Sequence, residues 1–374
     1  MPSKVENVNR EILKLCRVQI GLSVSAVEKK VKKIAEIENG TLKPTFKQLE
    51  TLARMYRVPR WVFICENLPE KYQFLESVPV FRQFSNTEPD IFSNYKVRSL
   101  TAKVESYREL ILDFYKDMDE ELPLFNPPEL TNIPELSFQA RKWLNASEMN
   151  YSFSEWKEKL EEKGVFIFMT SRYKGWSYVD KELFRGLSIY HPILPIIIIN
   201  DSDAFKAQSF TLFHELGHLI KKESAIDKWT DYDKNIEKWC DEFSGNLLMP
   251  EKPFKNSIEN IEYLADVKKL ANRFNISAYA CLVRLRDLRI INQNKYYIFE
   301  KQLKDEYREI VKKMKESAGG PPRNRPEEII NQYGGIFSKV VFQAFHNQEI
   351  GLKKLCQLLE LKNPKYALQI EGQL

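Results

Sequence analysis

Apolar positions in the first sixty residues return every three or four places, which is the period of an amphipathic helix. Glu11 to Arg17 forms one such stretch and Gly21 interrupts it. Val24, Val27, Val31, Ile34 and Ile37 then keep helical spacing until Gly40 stops the run. A further helix is predicted after Pro44, with Phe46, Leu49, Leu52, Ala53 and Tyr56 on its buried face. Together these elements predict a small helical domain over residues 1–65. Aromatic and charged residues mix from Trp61 to Lys142, a stretch that holds "VPVFRQF", a predicted helix from Tyr95 to Met118 and the proline-marked loop "LPLFNPPELTNIPEL". It reads as a helical connecting arm, 66–145, with a boundary near Pro127 to Pro134. The period then changes. A helix over Phe153 to Lys163 precedes three strands, Gly164 to Thr170, Phe184 to Tyr190 and Pro195 to Asn200, so 146–255 reads as a small sheet with helices against it. Helical periodicity returns over 256–374, in "VKKLANRFNISAYACLVRLRDLRII" and in "GGIFSKVVFQAFHNQEIGLKKLCQLLEL", with "AGGPPRNRPEE" between them. The expected fold class is α+β, built from different modules, since no fixed repeat occurs.

Composition narrows the function only slightly. Hydrophobic residues make up 43% of the 374 and charged residues 29%, as in ordinary globular proteins. The longest apolar run, Ile196 to Ile199 continued weakly by Pro192 to Pro195, falls far short of the roughly 20 residues a membrane-spanning helix needs. With no apolar leader in "MPSKVENVNREI", a cytoplasmic protein without a membrane partner is expected. The five cysteines are an odd number without a CxxC pair, which argues against a disulfide framework or a thiolate zinc site and suits a reducing compartment. A net charge of +5 permits contact with nucleic acid without implying it.

The chemistry concentrates in "TLFHELGHLI". His214 and His218, two of only four histidines, stand at i and i+4, so both rings lie on one helix face within reach of one tetrahedral zinc ion. Glu215 beside them is the expected general base for an activated water. Polar "NDSD" before the helix offers N-caps, and Leu212, Leu216 and Leu219 form an apolar anchoring face. The plain alternative is a surface or core histidine pair with no metal. A catalytic zinc also needs a third protein ligand and one open position. In "NIEKWCDEFSGNLLMP", Glu237 and Asp241 lie one turn apart, so one can ligate while the other orients a ligating histidine. Spacing alone leaves Glu237, Asp233, Asp241 and Glu242 all open as ligands, within an acidic run that is also compatible with a solvated surface. His191 and His346 have no partner pattern, and no serine elbow, phosphate loop or thiol nucleophile signature occurs.

The run "FRGLSIYHPILPIIIINDSDAFKAQSFTLFHELGHLI" followed by "EKWCDEFSGNLLMP" resembles the ImmA/IrrE family of zinc metallopeptidases, over roughly Ser154 to Pro250. The resemblance implies a zincin-like core and a gluzincin-like zinc metalloendopeptidase with one Zn2+ per chain. It makes His214, His218 and Glu237 the ligands, Glu215 the base and Asp241 the residue that supports a ligand. Asp241 stands where the family usually has asparagine, and Cys240 where it usually has alanine. "FNISAYACLVRLRDLRII" resembles the helix after the family's peptidase core, which would let Arg284 line the cleft, although a surface or salt-bridging arginine also fits.

"GLS…AEIENGTLKPTFKQLETLARMYRVP" resembles the Xre-type helix-turn-helix domain often fused ahead of this peptidase. About four residues are missing between Ser23 and Glu38, so its two central helices are expected to be merged or shortened. Lys29, Lys30, Lys32 and Lys33 are the candidates to reach DNA phosphates. The alternative is a solvated lysine face on a domain that binds protein. The expected function is a zinc endopeptidase that cleaves a regulatory protein such as a DNA-binding repressor, in a mobile-element, stress-response or toxin–antitoxin setting. The competing expectation is a DNA-binding regulator or antitoxin whose zinc fold is structural or sensing.

Overall fold

The computed structural model describes residues 4–20, 22–56, 58–69, 80–81, 95–173, 177–180, 183–222, 234–316 and 324–374. The first helices are α1 (Arg10–Gln19), α2 (Val24–Glu28), α3 (Ile34–Glu38) and α4 (Phe46–Tyr56), closed by a 3-10 turn at Arg60–Ile64. Asn9 ties the two ends of this unit together. Its side-chain oxygen accepts from the Ile12 amide at the start of α1, while its amide group donates to the carbonyls of Cys65 and Glu66. Leu13, Val27, Ile34, Leu52, Tyr56 and Phe63 form the unit's own core. The continuous periodicity from Val24 to Ile37 resolves into two five-residue helices. Lys33, in the left-handed region at φ 64°, separates them. Such short helices are marginal by themselves and are held by the burial of Val27, Val31, Ile34 and Ile37. The four lysines lie exposed on the turn between the helices, and the following helix carries Glu36 and Glu38. Arg17 grips Glu38 through two contacts of 2.6 and 2.9 Å and also donates to the Leu22 carbonyl, which locks α3 onto α1. Phe46, expected on the buried face, is 55% exposed because it opens α4 before that helix meets the core.

Of "VPVFRQF" only Val80 and Phe81 lie within the described residues, as strand β1 (Val80–Phe81). Next come α5 (Tyr95–Asp117), α6 (Ile133–Trp143), α7 (Phe153–Glu161), β2 (Phe166–Met169), β3 (Gly186–Ile189) and β4 (Ile196–Ile199). The strands form one sheet in the order β1-β3-β4-β2, with β2 parallel to β4 and the other pairs antiparallel. Every residue of β2, β3 and β4 is buried. Helices therefore cover both faces, and the strands read as unbroken apolar runs where a half-exposed sheet would alternate with polar residues.

The remaining helices are α8 (Phe205–Ile220), α9 (Lys234–Leu248), α10 (Glu251–Asn256), α11 (Leu264–Arg273), α12 (Ala278–Asp287), α13 (Gln293–Glu316), α14 (Arg325–His346), α15 (Leu352–Leu358) and α16 (Lys365–Glu371). Ile167, Met169, Ile197 and Ile199 face a core shared by α6 through α13. Phe166, Phe168, Ile196 and Ile198 face a second core, shared by α5 and α14 through α16. The stretch read as a connecting arm is thus divided, α5 going to one face and α6 to the other, where it packs on α9. The C-terminal helices divide in the same way. No described helix is long and apolar enough to cross a membrane.

One polar joint lies inside this apolar frame. Gly334, at φ 77° and ψ 167°, breaks α14 into two helical pieces. Two buried residues one turn apart on α7 serve the ends of the break. Lys157 donates to the Asn331 carbonyl at 2.6 Å, and the Glu161 carboxylate accepts from the Gly335 amide at 2.9 Å. Burial pushes the Glu161 carboxyl up to about 7, against the pull of Lys157 and the Gly335 amide. A carboxyl raised on folding stabilises the fold most when protonated. This contribution is full below the unfolded value of 4.5 and is lost as pH climbs through about 7. Glu161→Gln keeps an acceptor for Gly335 and removes the charge, so it should gain stability relative to wild type between pH 4.5 and 7.5. Urea unfolding of both proteins across that range checks this; a difference that stays flat with pH would refute it.

Candidate metal centre

Asn200 turns the chain out of β4 toward α8. Its buried amide group donates to the carbonyls of Val179 and Phe184, and its oxygen accepts from Thr170 Oγ1 and the Ser202 amide. The "NDSD" residues do not cap α8 as expected: the capping position falls on Ala204, which has no side chain to give. Instead Gln208 reaches back from the first turn to the Asp203 carbonyl and to Asp201. Leu212, Phe213, Leu216 and Leu219 root the helix in the core. This orientation buries His214, Glu215 and His218, each at most 1% exposed, so the plain reading of two surface histidines is excluded.

Helix α9 lies against α8, and Gly217 permits the close approach. A Cβ placed there would come within 3.1 Å of Cys240 Sγ. Across this contact Glu237 meets both imidazoles, at 3.1 Å from His214 Nε2 and 3.3 Å from His218 Nε2, while the two Nε2 atoms stand 3.2 Å apart. Asp241, one turn along α9, accepts from His214 Nδ1 at 2.9 Å. A proton held at Nδ1 leaves the Nε2 lone pair facing Glu237 and His218. Burial raises the Glu237 carboxyl, but when the two Nε2 atoms carry protons their hydrogen bonds and charge bring it down to about 2.

These donors can hold a metal ion. His214, His218 and Cys240 form a buried group whose ligand atoms lie within 4.8 Å of one another. The Glu237 oxygens lie within 3.1 to 3.3 Å of both imidazoles. A tetrahedral ion with bonds of about 2.0–2.1 Å separates its ligands by about 3.3 Å. The separations among His214, His218 and Glu237 fit that figure, whereas the thiol is packed toward the Gly217 backbone.

Glu215, the next residue along α8, reaches β3. Burial raises its carboxyl, opposed by the charges of His218 and His214 and by the Ser188 hydroxyl. Ser188 donates to Oε2 at 2.9 Å, and Oε1 is buried without a hydrogen-bond partner. A Cβ on Gly186 would stand 2.8 Å from that oxygen, so only glycine leaves room for the carboxylate.

The other sequence candidates fall elsewhere. Glu242 is exposed, and Asp233 lies outside the described residues. His191 pairs with Glu105, and His346 with Glu371. Arg284 does not sit on the surface. It is buried and donates to Asn246 Oδ1 and the Met249 carbonyl, bracing the end of α9, because that helix end leaves acceptors that a buried guanidinium can satisfy. Sequence reasoning missed Ser188 and Gly186. The signal was present as two small residues at i and i+2 in an otherwise apolar strand, the face of "GLSI" that meets α8.

Residues 161–286 match the model of the peptidase M78 family, described as the IrrE N-terminal-like domain. The match spans His214, Glu215, His218, Glu237, Cys240 and Asp241, supports the resemblance to the ImmA/IrrE family, and implies a peptidase. A search of curated proteins gives no match.

Proposed function

We propose that the chain is a zinc-dependent endopeptidase that cleaves a regulatory protein, with His214, His218 and Glu237 holding one zinc ion. The observation that carries this reading is the set of donor separations, 3.1 to 3.3 Å, which suits a single tetrahedral ion and leaves one position for water or substrate. When bound, zinc supplies Lewis acidity, making a water acidic near neutral pH and polarising a carbonyl. The chain's own residues do the rest. Asp241 fixes the tautomer of His214. Glu215 takes the water's proton on its unpartnered Oε1 and delivers it to the departing amine. The proposed substrate, by resemblance, is a DNA-binding repressor or a toxin–antitoxin partner.

The test is co-expression of the chain with proteins encoded beside it, comparing wild type with Glu215→Gln. Wild type should shorten one partner, and the variant should leave it whole while still binding about one zinc per chain. A variant that cuts as well as wild type removes Glu215 from the mechanism. Zinc bound by both with no cleavage by either would favour a regulator that uses the metal fold without proteolysis.

A further inference from the structure

We infer that Ser188 is the positioning residue of the general base, setting the direction of the Glu215 carboxylate from the neighbouring strand; this rests on the peptidase reading above. The terminal torsion of a glutamate is broad, so a carboxylate without an anchor samples many orientations. Here the Ser188 hydroxyl donates to Oε2 at 2.9 Å, with Ser188 2% and Glu215 0% exposed. One oxygen is thereby occupied. The other, Oε1, is buried without a partner and is the one free to take a proton.

The anchor projects from a ladder. Ser188 pairs with Ile197 and Gly186 with Ile199 on β4, so the sheet fixes the backbone position from which the hydroxyl reaches Glu215. Gly186 completes the seat: a side chain there would collide with Thr211 Cγ2 at 2.5 Å and with Glu215 Oε1 at 2.8 Å. The strand thus supplies one donor and one gap, two residues apart on the same face, and together they admit the carboxylate in one orientation. Among the described residues, Ser188 is the only side chain that donates a hydrogen bond to Glu215.

The test needs no natural substrate. Acetohydroxamic acid binds zinc through two oxygens and binds more tightly where a nearby carboxylate takes up its hydroxyl proton, so its affinity reports whether Glu215 is correctly aimed. Calorimetric titration of the full chain, loaded with one equivalent of zinc, should show Ser188→Ala binding about 10-fold more weakly than wild type. Zinc content should not change. In a Glu215→Gln background Ser188→Ala should have no further effect, since Ser188 acts through that carboxylate. Wild-type affinity in Ser188→Ala, a further loss in the Glu215→Gln background, or a parallel loss of zinc would overturn the assignment while leaving the peptidase reading intact. Failure of the zinc-loaded wild type to bind acetohydroxamic acid would overturn both.

Discussion

A chain carrying His214→Ala is expected to purify with less than about a tenth of an equivalent of zinc, and the wild type with about one. His214 is the hub of the site: its Nε2 faces Glu237 and His218, and its Nδ1 holds Asp241. On the proposed ligand set, removing the ring leaves two donors where a catalytic zinc needs three. Asp241→Asn should be milder. It keeps a partner for Nδ1 but removes the charge, and loss of such an outer partner weakens metal binding about 10- to 100-fold. Cys240→Ala separates the two possible donor sets: if Glu237 is the third ligand, zinc affinity survives this change, and if the thiol is, affinity collapses as it does with His214→Ala. Elemental analysis and competition with a zinc chelator measure all three. Full zinc content in His214→Ala would sink the proposed site.

Gly334→Ala is expected to destabilise the fold by about 3–5 kcal/mol, the sum of a glycine-only backbone conformation and an overpacked site. At φ 77° and ψ 167° this residue occupies a region that side chains avoid. A Cβ would stand 2.2 Å from Glu161 Oε1 and 2.8 Å from the Ile167 carbonyl. Neither neighbour can retreat, since Ile167 is tied into the sheet and Glu161 holds the Gly335 amide. Gly351→Ala is the control. It sits at φ −85° with nothing near its would-be Cβ, so it should leave stability within about 0.5 kcal/mol of wild type. Urea unfolding of the two variants decides the matter, and a Gly334→Ala protein within about 1 kcal/mol of wild type would contradict the packing described.

What the sequence revealed depended on how local the signal was. The two histidines and Glu215 share one helical turn, and α8 carries them as that spacing requires. The strands after Gly164 announced themselves as apolar runs, and three of them form where they were expected. Glu237 emerged only by resemblance, because spacing cannot say which carboxylate of an acidic run turns inward. The structure brings that residue to both imidazoles and gives Asp241 to the far side of His214. Periodicity alone misled over Val24 to Ile37: a buried face continues across a turn when both short helices pack on the same core, so the break at Lys33 leaves no trace in the pattern. The arm over 66–145 reads as one helical module with a boundary near Pro127 to Pro134, and its two described helices go to different faces of the sheet. Nothing in a helix's own sequence states which face of a distant sheet will receive it.

That sheet has a consequence for how the molecule comes apart. Neighbouring residues along β2 and β4 are committed to opposite cores: Phe166 and Ile196 to the side of α5 and α14, Ile167 and Ile197 to the side of α8. The strands are therefore a party wall, with no solvent side to fall back on. If the C-terminal helices lift away, the backbone left bare is the same backbone that holds α8 in place from behind. The two halves are therefore expected to melt together, and a ligand gripping the histidines on one side would brace the far side as well.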